Sequence, residues 1–139
     1  MLIPKNVKYK KIHHKKWTKA LNFSCSIKLG TFAIKPLDFI RLESKQIQLL
    51  NRTISKVIGK SSKLWIYIFP NNTITKKAEK SRMGKGSGNI SCWFYPLLPG
   101  DSLLELECVD LKTALKVLRI CNNLLASKFK LVNLQKRNV

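Results

Sequence analysis

The stretch ESKQIQLLNRTISKVIGKSSKLWIYIFP, residues 43–70, changes its hydrophobic period halfway, and that change decides the fold class. From Glu43 to Lys60, Ile47, Leu50, Ile54, Val57 and Ile58 recur at three- and four-residue steps, which puts them on one face of a helix. Glu43 or Ser44 stands near its start and Gly59 at its stop, with Lys45, Arg52 and Lys56 on the other faces. KLWIYIFP then reads as a short strand, β-branched and aromatic, apolar on both sides and closed by Pro70. Such a strand is expected at the centre of a sheet.

Working outward, NNTITKKAEKSRMGKGSGN has neither period and is predicted to be a long glycine-rich loop over residues 71–89. NISCWFYPLLPG and SLLELECV are two further strand candidates, joined by a turn around Pro99, Gly100 and Asp101. Asp110 suits the N-cap of a second helix, in which Leu111, Ala114, Leu115, Leu118, Cys121 and Leu125 form the apolar stripe. FKLVN follows as a last strand. Upstream, SIKLGTFAIKP alternates, with a bulge or bend expected at Gly30 and an end at Pro36. Strands enclosing two amphipathic helices predict an α+β fold, the helices packed on a mostly antiparallel sheet. The expected organisation is one domain: a basic arm over 1–22, a core over 23–134 and a basic tail over 135–139.

Charge then narrows the function. The 139 residues hold 27 Lys and Arg against 7 Asp and Glu, a formal net charge of +20. Self-repulsion on that scale calls for a polyanionic partner, and nucleic acid is the commonest. Everything before Asp38 is purely cationic, and the arm interleaves lysine with aromatic rings suited to stacking on bases. Its candidate RNA contacts are Lys5, Lys8, Tyr9, Lys10, Lys11, His13, His14, Lys15, Lys16, Trp17 and Lys19. In SRMGKGSGN, residues 81–89, the absence of side chains lets backbone N–H groups approach phosphate, and Arg82 and Lys85 add charge there. Asp101, Glu105, Glu107 and Asp110 are expected to form an acidic patch facing away from the polyanion or towards a basic neighbour.

Other classes find little support. Gly59-Lys60-Ser61 lacks the earlier glycine of a P-loop, and Gly84, Gly86 and Gly88 are followed by no helix pattern, so neither is read as a nucleotide site. No signature joins the Ser, Cys and His residues into catalytic machinery, and an enzyme is not expected. Cys25, Cys92, Cys108 and Cys121 are scattered without ligand spacing; no metal or other cofactor is predicted. The last three of these cysteines are read as small buried hydrophobes in a reducing compartment. No apolar run reaches the roughly 18–20 residues of a bilayer span, nor does a signal-peptide core follow the basic start, so membrane insertion is not expected. A free-standing basic RNA- or DNA-binding regulatory module is the rival reading of these same features.

Met1-Leu2-x-Pro4-Lys5 with His13, Trp65-Ile66 leading to Phe69-Pro70, and Arg82-Met83-Gly84-Lys85-Gly86-x-Gly88-Asn89 followed by Trp93 together resemble the universal large-subunit ribosomal protein L-sixteen family. The resemblance runs from Met1 to about Val132. It implies a structural constituent of the large ribosomal subunit that binds large-subunit rRNA near the aminoacyl-tRNA site. Its implied partners are that rRNA, tRNA and neighbouring ribosomal proteins, and a role in subunit assembly is implied with them. It implies that the arm penetrates rRNA, and that Lys80, Ser81, Arg82, Met83, Gly84, Lys85, Gly86, Ser87, Gly88 and Asn89 form the loop end directed at tRNA and the peptidyl-transferase region. Departures are Tyr67 for a customary Arg, Ser87 for a customary Lys, and His14-Lys15-Lys16-Trp17-Thr18-Lys19 for a Gly- and Arg-rich stretch. Usage of 22 Lys against 5 Arg is that of AT-rich codons. With a start at the family's own start, it predicts a mitochondrial, organelle-encoded protein; a plastid or bacterial cytoplasm is the alternative.

Overall fold

The computed structural model describes residues 2–14, 27–84 and 86–134. Within them the order is β1 (Phe32–Pro36), β2 (Ile40–Glu43), α1 (Ser44–Ile58), β3 (Lys63–Ile66), β4 (Asn72–Lys76), β5 (Asn89–Leu97), β6 (Leu104–Glu107), α2 (Leu111–Leu125) and β7 (Phe129–Asn133). The strands form two sheets, of order β3-β6-β1-β7 and β2-β5-β4, and their pairings are antiparallel. The α+β class matches expectation, with the strands divided between two sheets instead of sharing one.

Each helix is explained by its ends and its buried face. At the start of α1, Gln46 returns its carboxamide oxygen to the Glu43 N–H at 2.9 Å, half of a reciprocal capping box. Ile47, Leu50 and Ile54 are buried as their spacing predicts, while Val57 reaches solvent. α2 is rotated from the predicted stripe: Ala114, Val117, Cys121 and Leu125 are buried, and Leu111 and Leu115 are exposed. Leucines lie on several sides of this helix, so its own periodicity admits two stripes, and packing against α1 and β7 selects the one through Val117. The two buried faces join Phe32, Ile34, Leu97 and Leu104 in one core.

Two strand expectations are corrected. KLWIYIFP does not supply a central strand: β3 ends at Ile66 and lies at the edge of its sheet, paired with β6. It is apolar on both faces because Leu64 and Ile66 pack on the core while Trp65, on the opposite face, lies across from Glu105. Nor is 71–89 one loop. Asn72–Lys76 forms β4, antiparallel to β5 with a register shift between Ile74 and Thr75, so the connection shrinks to residues 77–88.

The acidic patch is also corrected, because its members serve the fold separately. Glu105 has no exposed surface. Its Oε1 accepts the Lys28 N–H at 3.0 Å; its Oε2 accepts the N–H groups of Leu29 at 2.8 Å and Gly30 at 3.0 Å, and the Tyr67 hydroxyl at 3.0 Å. Burial alone would raise its pKa, but these hydrogen bonds outweigh burial and hold the carboxyl below its ordinary range. The bend at Gly30 is where the chain crosses this carboxylate, and Tyr67 supplies a neutral donor to it. Asp101 accepts the Leu98 N–H at 3.1 Å within the β5–β6 turn, and Glu107 pairs with Lys63 at 3.4 Å. Asp110 occupies the N-cap position of α2.

The cysteines divide by burial. Cys121 is enclosed, and desolvation pushes its thiol up to about 12. Cys92 is half-buried; desolvation and then the neighbouring Glu43 carboxylate raise its pKa. Cys108, expected in the core, is exposed in the link between β6 and α2. Cys25 lies outside the described residues. A thiol-alkylating reagent should therefore label Cys108 in the folded chain and spare Cys121 until denaturant is added, as read by peptide mass mapping. Equal labelling of both before denaturation would contradict this burial.

Candidate nucleic-acid interface

The described part of the arm, residues 2–14, is bound to the domain through its backbone. Ser44 donates its hydroxyl to the Leu2 carbonyl at 2.9 Å, and the Leu2 side chain packs against the core. Further along, Thr73 of β4 donates its hydroxyl to the Lys10 carbonyl at 2.9 Å, and its own carbonyl accepts the Nε2–H of His14 at 2.7 Å. β4 is an edge strand, whose unpaired groups need partners. The arm supplies a partner to the Thr73 carbonyl and another to its hydroxyl, which docks it beside the β4–β5 hairpin.

This anchoring turns the arm's cations outward. Lys5, Lys8, Tyr9, Lys10, Lys11 and His13 are all exposed, with the Lys8 ammonium 5.5 Å from the Tyr9 ring centroid. His14 is placed differently. Half-buried, it bonds to Thr73 and meets the Phe94 ring edge-on at 5.2 Å, so it serves the docking of the arm. Lys15, Lys16, Trp17 and Lys19 lie outside the described residues, as do Met1 and the 135–139 tail.

The 77–88 connection starts from the same hairpin. Lys77 reaches across it to donate to the Gly84 carbonyl at 2.8 Å, and the Ser81 N–H donates to the Ala78 carbonyl at 3.0 Å. Lys80, Ser81, Arg82, Met83, Gly84, Gly86 and Ser87 are exposed, Met83 completely. Lys85 is outside the described residues, and Asn89 is the first residue of β5, paired with Lys76 at the hairpin base. The turn encloses an open concavity of about 610 Å³, lined by Lys76, Lys77, Arg82, Met83 and glycine backbone. Glu79 is the one carboxylate in the sequence of residues 77–88, and among the described residues no carboxylate lies in ion-pair range of Lys76, Lys80 or Arg82.

The glycines of this turn have two different uses. Gly84 and Gly86 have φ of +103° and +80° with open space around them, the left-handed backbone that a bare, exposed turn requires. Gly88 sits instead against the chain itself. A Cβ there would overlap the Lys76 carbonyl oxygen, 2.5 Å from its carbonyl carbon and 2.7 Å from the Lys77 nitrogen. The absence of a side chain at Gly88 therefore closes the hairpin, whereas at Gly84 and Gly86 it bares the backbone.

Arm and turn meet where Lys11 donates its ammonium to the Ser87 carbonyl at 3.3 Å. The contact joins two cationic segments that are far apart in sequence. Thr73 and Ser44, which tie the arm down, had no signal in the sequence beyond the β-branched run at 73–75. Among the described residues, no group of three or more His, Cys, Asp or Glu side chains converges to hold a metal ion, and no helix is long and apolar enough to cross a membrane.

Comparison with known proteins places the chain among ribosomal proteins. Residues 4–132 match the family described as ribosomal protein L16p/L10e. The chain is 30% identical over 138 residues to the large ribosomal subunit protein uL16c of Emiliania huxleyi, covering 99% of this chain and 100% of that protein. It is 41% identical over 109 residues to the large ribosomal subunit protein uL16 of Buchnera aphidicola (strain APS), covering 78% and 79% respectively. Against uL16 of Blochmanniella floridana it is 40% identical over 114 residues, covering 82% and 85%.

Proposed function

Since this chain belongs to the ribosomal protein L16p/L10e family, and is thereby a structural constituent of a large ribosomal subunit of bacterial or organellar type, we propose that its two cationic segments divide the work. The arm holds large-subunit rRNA through Lys5, Lys8, Tyr9, Lys10, Lys11 and His13, continued by Lys15, Lys16, Trp17 and Lys19. The turn carrying Lys80, Arg82, Met83 and Lys85 reaches towards tRNA beside the peptidyl-transferase centre, where peptide-bond chemistry is left to RNA. The observation that carries this reading is the contact of Lys11 with Ser87, because it joins the turn to the cationic arm. A loop aimed this way positions a ligand without spending binding energy on its own ordering.

Arg82→Ala and a chain lacking residues 2–14 test the division together. Arg82 is exposed and supports no part of the core, so Arg82→Ala should enter large subunits at near-normal levels while slowing peptide synthesis about tenfold, the equivalent of one charge-assisted contact of ~1.4 kcal/mol. The shortened chain should instead be depleted from the large-subunit peak of a sucrose gradient, since several phosphate contacts vanish together. Equal loss of incorporation in both would refute the division. We further assign the ribosome to a mitochondrion whose genome encodes the chain, on the usage of 22 Lys against 5 Arg. Finding the coding sequence in a plastid or bacterial genome would overturn that assignment.

A further inference from the structure

Outside both cationic segments, one arginine is held in a geometry that the fold itself does not use. Arg41 lies on β2, exposed, opposite Pro96 of β5. Its guanidinium carbon stands 6.0 Å from the centroid of the Phe39 ring and 5.9 Å from that of Phe94, which places one planar cation within cation–π reach of two aromatic rings. Phe94 is 1% exposed and fixed by its surroundings, while Phe39 is partly open to water. The same Phe94 ring carries His14 at 5.2 Å, which brings the end of the described arm to Arg41.

One neighbouring carboxylate is already engaged. Glu43, two residues along on the same face of β2, takes part in the capping box of α1 and interacts with the Cys92 thiol. Among the described residues no carboxylate lies in ion-pair range of Arg41. A guanidinium held by ring contacts keeps its N–H fork free and loses little side-chain freedom when a ligand arrives. Two parallel N–H donors match the paired oxygens of a phosphodiester. The residue type points the same way. In a chain that uses 22 Lys and 5 Arg, lysine is the ordinary cation, and a lysine could neither fill this aromatic slot with a planar group nor present a fork.

We propose that Arg41, set between Phe39 and Phe94 beside the docked arm, is a preformed clamp for one phosphodiester of large-subunit rRNA. The proposal rests on the reading of this chain as an rRNA binder, and adds a contact on a strand that neither the arm nor the turn includes.

The test measures binding of the full chain to an in vitro transcript of large-subunit rRNA across a salt series, with thermal melting of each variant as a control on folding. Arg41→Ala should weaken binding about tenfold and flatten the slope of log affinity against log salt by roughly one ion, as loss of a single phosphate contact requires. Arg41→Lys should keep the slope but bind about threefold more weakly, and Phe39→Leu should do the same by releasing one side of the slot. Lys112→Ala, an equal loss of charge at an exposed position of α2, should stay within about twofold. Matching losses for Arg41→Ala and Lys112→Ala would overturn the clamp. Should Arg41→Ala fail to fold, Arg41→Lys decides, and unchanged affinity there overturns it. If the unaltered chain does not bind the transcript, the rRNA reading falls and the clamp falls with it. Binding by the unaltered chain with Arg41 variants indistinguishable from it removes the clamp alone.

Discussion

Glu105→Ala is expected to cost the folded chain about 3 kcal/mol or more, a large fraction of the 5–15 kcal/mol that domains of this size possess. The carboxylate accepts three successive backbone N–H groups, from Lys28, Leu29 and Gly30, as well as the Tyr67 hydroxyl. Lys28 and Leu29 are exposed and can take water in its place, but Gly30 is buried and its N–H would be stranded. An unsatisfied buried donor costs about 1–3 kcal/mol, and the vacated side-chain volume adds to it. Glu105→Gln keeps the shape and some of the bonds, yet turns an NH₂ towards groups that are all donors, so an intermediate loss of about 1–2 kcal/mol is expected. The pair also separates by pH. The folded-state pKa of Glu105 is depressed, so its contribution is complete above the unfolded value of about 4.3 and is lost as pH falls through the folded value. Urea unfolding across that range should show a steeper acid loss for the unaltered chain than for Glu105→Gln. Parallel pH profiles would mean that the carboxylate is not the group these donors stabilise.

Nothing around Glu105 in the sequence announces this role. In SLLELECV the two glutamates read as the solvent half of an alternating strand, and for Glu107, paired with Lys63 at the surface, that reading is right. Glu105 differs because the chain at 28–30 returns over its face of the sheet, a long-range event that no local pattern encodes. The elements legible from sequence are those whose burial follows their own period: α1 with Ile47, Leu50 and Ile54, β5 with its aromatic run, and β7. β4 escaped because its burial is borrowed. Thr73 is 2% exposed and bonded to the arm through Lys10 and His14, and a threonine is no hydrophobic signal. The same applies to the candidate interface. Charge and the L-sixteen resemblance marked the arm and the turn, and family membership decides against a free-standing regulatory module. Their union could not be read, since Lys10 contributes its carbonyl and His14 a protein contact instead of a free ring. Arg41 gives no local signal, because the two rings it approaches, Phe39 and Phe94, are brought together only by the pairing of β2 with β5.

Gly88→Ala should be the most damaging small change in the turn, and comparison with Gly84→Ala isolates the reason. At Gly84 the backbone is left-handed with open space around it, so alanine meets conformational strain of roughly 1–2 kcal/mol in an exposed segment that can relax. At Gly88 the φ angle is ordinary and the obstruction is the backbone of Lys76 and Lys77, which no rotamer change can relieve. Alanine must push the end of β4 away from the start of β5, breaking the closing Lys76–Asn89 pair, at an expected cost of about 2–3 kcal/mol. The displacement would not stop there, because Lys10 and His14 are held on Thr73 and Lys11 on Ser87. Loosening the hairpin therefore releases the arm, so Gly88→Ala should lower both the melting temperature and incorporation into large subunits. Gly84→Ala should leave both nearly unchanged and affect only the step served by the turn. Hydrogen exchange gives the direct measurement: amides of β4 and of the facing half of β5 should lose protection in Gly88→Ala and retain it in Gly84→Ala. Equal protection in the two variants would show that the close approach at Gly88 does not hold the hairpin shut, and that arm and turn are positioned independently.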